Sequence, residues 1–215
     1  MTRMMSTRRF PFFASSLGVS ALAVAVSALA WSRVPARFPI HFDAAGQPDG
    51  WASRTVGLLA LPITTLVVLA ILGAVRRGRQ EQPSGQALGK IALATSLLLF
   101  GLHGLVIMAA TSGGALAVGA LMVMLGLFFG GLALMMPGLE QNPWVGIRTP
   151  WSLADEINWR LTHRFAARSM LLGAGVAVIA GLAFTGAVAF GVGLTAILLG
   201  GLAPVGASAA LHYLK

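Results

Sequence analysis

The sequence predicts an all-α polytopic membrane bundle of six transmembrane spans, with both termini on the cytoplasmic side. Three observations carry this. Of 215 residues, 57% are hydrophobic and 10% charged, where an ordinary soluble domain has roughly 25% charged residues. The apolar residues fall into six runs long enough for a bilayer core of about 30 Å, which needs about 20 residues per helix. The basic residues cluster in alternate connections. Helices are required because hydrocarbon offers no partner to an unpaired backbone group, and the runs lack the alternation of barrel strands.

In chain order the spans are 12–31, 56–75, 91–111, 115–136, 170–190 and 194–214. In the first, three arginines followed by an apolar run ending in Ala28-Leu29-Ala30 imitate a secretory signal, but the run reads as a retained span. Pro62 in the second and Pro204 in the sixth predict kinks, which either open a cavity or serve packing. The third holds His103, the one titratable side chain at membrane depth. It reads as a neutral histidine bonded to a neighbouring helix, or alternatively as a proton relay. Gly126 and Gly130 in the fourth, and Ala177 and Gly181 in the fifth, form the small-residue spacing of close helix contacts. Three units follow in sequence order: 1–75 with its external loop, 76–136, and 137–215 with its internal loop.

Orientation follows from charge. Arg3, Arg8 and Arg9, then Arg76, Arg77, Arg79 and Lys90, then Arg148, Arg160, Arg164 and Arg168, and finally Lys215, all fall on one side. The other side holds Arg33, Arg37 and Arg54 with Asp43 and Asp49. Lys and Arg near span ends are retained in the cytoplasm. This accounts for the net charge of +9, so no direct nucleic-acid contact is expected.

Two polar segments carry the remaining information. In the external stretch, residues 32–54, Pro35, Pro39 and Pro48 disfavour helix, while Gly46 and Asp49-Gly50 supply turn chemistry. A compact folded loop is expected, with Phe38, Ile40, Phe42 and Trp51 dipping toward the interface. His41, Asp43 and Asp49 then face water or a ligand. The segment either caps the bundle or binds a peptide; a metal site from these three residues is disfavoured for want of a second histidine. With no cysteine in the chain, no cofactor is expected.

In the internal stretch, residues 137–168, Pro143 and Pro150 hold an extended region across Gly146 and Arg148. Ser152 with Asp155 three residues on predicts a capped helix starting near Leu153. Leu153, Ile157, Leu161 and Phe165 share an arc of about 120°, an amphipathic face for lipid or for the bundle floor. Asp155, Trp159 and His163 lie on the opposite, polar side. There Trp159 is either a headgroup anchor or, with His163 and Arg148, part of a partner-binding patch.

These two segments resemble those of the SdpI immunity-protein family, whose external loop is of the DUF1648 type. The resemblance rests on Val34-Pro35, Pro39-Ile40-His41-Phe42-Asp43 and Gly46-Gln47-Pro48-Asp49-Gly50-Trp51 outside. Inside, it rests on Asn142, Gly146-Ile147-Arg148-Thr149-Pro150-Trp151, Asp155-Glu156, Trp159 and His163-Arg164. It implies a non-enzymatic protein of the bacterial cytoplasmic membrane that confers immunity to a secreted peptide toxin and detains a cytoplasmic repressor at the membrane. His41, Asp43, Asp49 and Trp51 would then face the ligand, and Asn142, Arg148, Trp151, Asp155, Trp159 and His163 the partner. The alternative reading is a small-solute or lipid transporter, opposed by the absence of charge at membrane depth. An intramembrane enzyme lacks any motif here: no His-Glu-x-x-His, no nucleophile elbow and no intramembrane aspartate pair occur.

Overall fold

The computed structural model describes residues 12–79 and 82–214. Arg3, Arg8, Arg9 and Lys215, used in the charge argument, lie outside the described residues. The described elements are helix α1 (Phe12–Ala30), strands β1 (Arg37–Phe42) and β2 (Pro48–Ser53), helices α2 (Arg54–Arg76), α3 (Pro83–Ser112) and α4 (Val118–Met135), a 3-10 turn (Met136–Gly138), and helices α5 (Pro150–Ala154), α6 (Glu156–Ala183) and α7 (Gly186–Tyr213). Six of the helices are long and apolar enough to cross a membrane.

Chain punctuation sets their ends. Pro83 opens α3 in the first turn, where a missing N–H costs nothing, and Gly113 closes it in the left-handed conformation. The last two spans sit earlier than expected. The chain breaks at Phe184 and Thr185, both extended, and α7 begins at Gly186 with φ +53. Gly191 and Gly193, expected to turn, lie inside α7, where Gly193 takes the Met122 side chain against its backbone.

The interior is built from small residues. Ala92, Ala133, Ala166, Ala177, Ala180 and Ala189 are buried, whereas Leu127, Leu134, Leu172, Leu182 and Leu199 point outward. This inverts the soluble pattern. In lipid no hydrophobic force drives helices together, so close backbone approach does so. Gly119 and Gly181 meet backbone to backbone, and Gly126 lies against Ala174 and Val178. That places the Gly126 stripe within the molecule.

Packing gathers the helices into two sets. Helices α1, α2 and α3 form one half; α4, α6 and α7 form the other; α3 touches α4. Each half has one proline-containing helix whose freed carbonyl is taken by a neighbouring serine. Pro62 has no N–H to give the Leu58 carbonyl, and Ser27 Oγ of α1 bonds that carbonyl at 2.8 Å. Pro204 likewise releases the Gly200 carbonyl, which accepts from Ser169 Oγ of α6 at 2.9 Å. The prolines therefore serve helix contact.

His103 joins the first of these staples. Its Nε2 lies 2.8 Å from Ser27 Oγ. Ser27 Oγ also lies 3.0 Å from Ala23 O of its own helix, and either member of the Ser27–His103 pair can be the donor. The chain His103 to Ser27 to Leu58 ties α3, α1 and α2 together.

Candidate functional site

The two polar segments lie at opposite ends of the bundle. One follows α1 and the other follows α4, after an odd number of further crossings.

The first segment is an antiparallel hairpin, a detail its prolines did not announce. Arg37 pairs with Ser53, Phe38 with Ala52 and Pro39 with Trp51, and the register shifts on either side of His41. The prolines are compatible because Pro48 opens its strand and Pro39 lies next to the register shift. Asp43 builds the tip. Its Oδ1 accepts from the N–H groups of Ala45 and Gln47, an Asx turn completed by Gly46 at φ +86.

Phe38 anchors the hairpin to the first half of the bundle. It is fully buried with Ala30, Val34, Leu58 and Ala110, against a Gly57 backbone that has no room for a Cβ. Ile40 and Trp51 are exposed on the hairpin and Phe42 is half-buried. The register shift at His41 breaks the alternation that would have turned Ile40 to the Phe38 face. His41 Nδ1 bonds Asp49 Oδ1 across the strands, and Arg37 stacks over Trp51 at 4.3 Å.

The tip crosses to the other half of the molecule. Leu116 N–H donates to Gly46 O at 2.8 Å, and a Cβ on Gly46 would strike Leu116 and Val118 at the head of α4. Ala45 lies against Gly186, where α7 begins. The hairpin thus stands on the first half and rests on the second.

The second segment is held by side chains buried beneath it. Trp159 is 0% exposed and His163 1%. Both sit on α6, stacked with ring centroids 4.1 Å apart. Trp159 Nε1 donates to Leu139 O at 2.7 Å. His163 Nδ1 lies 2.8 Å from Trp159 O, and its Nε2 accepts from Ile147 N–H at 3.0 Å. A carbonyl only accepts and a backbone N–H only donates, so this imidazole is neutral with its proton on Nδ1. Gly146, at φ +121, lies flat on the pair, and a Cβ there would come within 2.4 Å of His163 Nε2.

This corrects the sidedness read from the sequence. Trp159 and His163 are not on the surface, while Leu153, Ile157, Leu161 and Phe165 are exposed, in keeping with the lipid-facing alternative for that face. The reason is that α6 is one helix of 28 residues, about 42 Å long at 1.5 Å per residue. It carries the inward face of the span straight out beyond the bilayer. The polar face stays turned to the other helices, and the apolar ridge continues the lipid-facing side.

Residues the sequence reading passed over complete the clasp. Asn158 donates from Nδ2 to Ser208 O at 2.9 Å and accepts from Thr162 Oγ1 and Ser208 Oγ at its Oδ1. Ser208 Oγ, having given its proton to Asn158, accepts from Thr149 Oγ1 at 2.6 Å. Thr149 and Ser152 form a reciprocal capping box on α5, and Asp155 caps α6 through Ile157 N–H. The capping roles expected of Ser152 and Asp155 are therefore redistributed, because Pro150 starts a helix of its own. Asn158, Trp159, Thr162 and His163 show a readable signal in retrospect: their spacing continues into Ala166, Ala167, Gly173, Ala174, Ala177 and Ala180, the buried face of the span.

Of the remaining expected site residues, Asn142 is spent on its own loop, accepting from Trp144 and Val145 N–H and donating to Glu140 and Val145 O. Arg148 is exposed and bonds Pro143 O at 2.8 Å. Trp151 stacks edgewise on Tyr213 at 5.9 Å, near the end of α7. Leu139, Val145 and Trp159 also pack against Ala87 and Leu88 of α3, so this loop too bridges the halves. No group of three or more metal-ligating side chains occurs among the described residues.

The comparisons with known proteins fall on these same two segments. Residues 138–208 match the SdpI/YfhL protein family, and residues 18–66 match a domain of unknown function, DUF1648. The chain is 25% identical over 158 residues to Immunity protein SdpI of Bacillus subtilis (strain 168), covering 73% of this chain and 75% of that protein. No solved structure matches it. The DUF1648 match spans the hairpin with parts of its flanking helices and the SdpI/YfhL match spans the clasped loop with α6 and most of α7, so this multi-pass bacterial membrane protein is similar to the SdpI/YfhL family in its last third and to the DUF1648 domain around its hairpin.

Proposed function

We propose that the protein is an immunity and signalling receptor: the hairpin recognises a secreted peptide toxin outside the cell, and the clasped loop reports it to a repressor in the cytoplasm. The orientation rests on the basic residues flanking the loop, held inside by the positive-inside rule. The observation that carries the reading is that the hairpin rests on both halves of the bundle at one end while the loop bridges them at the other. A ligand acts across the bilayer only if it binds two arrangements of those halves with different affinity. A hairpin seated across their junction is placed to do so.

In this account His41, Asp43, Asp49 and Trp51 present the ligand surface, with Asp43 shaping the tip. Asn142, Arg148, Trp151 and Asp155 shape the partner surface. Trp159 and His163 act beneath it by fixing the loop, as positioning residues. The test is expression in a Bacillus subtilis strain lacking its own SdpI, in mixed culture with its toxin-producing parent. Survival above the empty-vector strain is expected, with loss of protection for Trp51→Ala. No protection from a chain that accumulates in the membrane overturns the immunity reading.

A further inference from the structure

The internal loop is held very differently by the two halves of the bundle. To the second half it is hydrogen-bonded: Leu139 O accepts from Trp159 of α6, Ile147 N–H donates to His163, and Thr149 Oγ1 bonds Ser208 of α7. These bonds are wholly or partly buried. Toward the first half the same loop presents apolar side chains, with Leu139, Val145 and Trp159 clustering against Val75, Ala87 and Leu88. Apolar association of this kind is non-directional.

A polar contact crosses that seam. Arg79 lies three residues beyond the end of α2 and is tied to it, donating from Nη1 to Val75 O and Arg77 O. Its guanidinium stands over the Trp144 ring, 4.0 Å from the centroid, inside the roughly 6 Å reach of a cation–π contact. Trp144 is 41% exposed, a setting in which such a contact is weak. Its neighbours lead to the partner surface: Trp144 N–H donates to Asn142 Oδ1, and Pro143 O accepts from Arg148. Membrane orientation asks only for positive charge near the end of α2, which the exposed Arg77 also supplies. It does not require a cation stacked on a tryptophan of this loop.

We propose that Arg79 is a positioning residue whose stack on Trp144 is a latch across the cytoplasmic seam, closed while the halves meet as they do here and broken when they part. The proposal rests on the reading of the loop as a partner surface set by the arrangement of the halves. The buried bonds to α6 and α7 keep the loop on the second half, so parting strips Arg79 from Trp144 and leaves those bonds intact. One face of Trp144 is then uncovered beside Asn142 and Arg148. The surface offered to the cytoplasm therefore differs between the two arrangements, which a partner must sense for any signal to pass.

The test needs neither toxin nor partner, so its outcome is independent of whether the chain protects a cell. Ala87→Cys places a thiol on the α3 side of the seam, at a buried position, in a chain without native cysteine. The full chain in lipid nanodiscs is treated with methyl methanethiosulfonate. The labelling rate, divided by that of the exposed Ala154→Cys in the same background, reads how often the seam opens. Arg79→Gln and Trp144→Leu should each raise it about threefold, the effect of losing one exposed cation–π contact. The double variant should go no further than either alone, and Arg77→Gln, which removes an equal charge, should leave the rate unchanged. No labelling at position 87 in any variant, a rate unmoved by Arg79→Gln or by Trp144→Leu, additive effects of the pair, or an equal rise in Arg77→Gln overturns the proposal.

Discussion

Gly146→Ala is the sharpest perturbation of the clasped loop. The added carbon would stand 2.4 Å from His163 Nε2 and about 3 Å from the Trp159 ring, while ordinary contacts begin near 3.5 Å. The loop must therefore lift by roughly 1 Å. That breaks the 3.0 Å bond from Ile147 N–H to His163. A buried polar group left unpaired costs about 1–3 kcal/mol, and an L residue at φ +121 adds strain of about 1–3 kcal/mol. Ile147 is half-buried, so water recovers part of its N–H. A local loss of about 3 kcal/mol remains, roughly a hundredfold in opening equilibrium.

Because α6 and α7 stay bonded through Asn158 and Ser208, the loop should open without unfolding the bundle. Hydrogen exchange in lipid nanodiscs reads this directly: the Ile147 amide should exchange about a hundredfold faster, with α6 amides of the span unchanged. Gly138→Ala is the control, since its Cβ meets nothing within 4 Å and its φ is negative. An unchanged Ile147 amide in Gly146→Ala, or an equal effect in Gly138→Ala, refutes the reasoning.

Three further outcomes follow from the same contacts. Ser27→Ala strips the partner from Leu58 O and from His103 Nε2 and should cost about 1–2 kcal/mol, as membrane hydrogen bonds average below their aqueous values. In a Pro62→Ala background Leu58 regains a helical donor, so the same change should cost less; additive losses in equilibrium unfolding contradict the staple. With no native cysteine, Ala45→Cys with Gly186→Cys should form a disulfide on mild oxidation. The geometry at Gly186 places its Cβ 3.9 Å from that of Ala45, inside the usual span of about 3.5–4.5 Å; cross-linking no better than a Gln47→Cys pairing contradicts the docked hairpin. Arg148→Ala removes one exposed bond and should insert normally while losing signalling, and wild-type signalling from the well-expressed variant takes Arg148 out of the partner surface.

Most of the bundle was legible in the sequence because hydrocarbon permits one solution, and run length alone locates it. The end of the fifth span was misplaced because Gly191 and Gly193 imitate a turn, whereas their small size admits Met122 of a packed helix. His103 was legible as a bonded neutral histidine, since no acid lay within reach of it in the sequence. Its donor acceptor chain through Ser27 was not, because the need for it arises from Pro62 on another helix. Trp159 and His163 were seen but turned the wrong way. Amphipathicity read by soluble rules puts the polar face in water, while a helix leaving the membrane keeps its small and polar residues against its neighbours. The turn at Gly46 was visible locally, whereas the Asx role of Asp43 was not, and the strand pairing behind it depends on a register that the break at His41 conceals.

The most direct measurement concerns the separation of the two segments. Gln47→Cys and Ala154→Cys replace exposed residues of the hairpin tip and of α5, and each is treated with a membrane-impermeant maleimide. In intact spheroplasts position 47 should label fully and position 154 only after permeabilisation. Equal labelling of both before permeabilisation contradicts an outward hairpin joined through the bilayer to an inward loop.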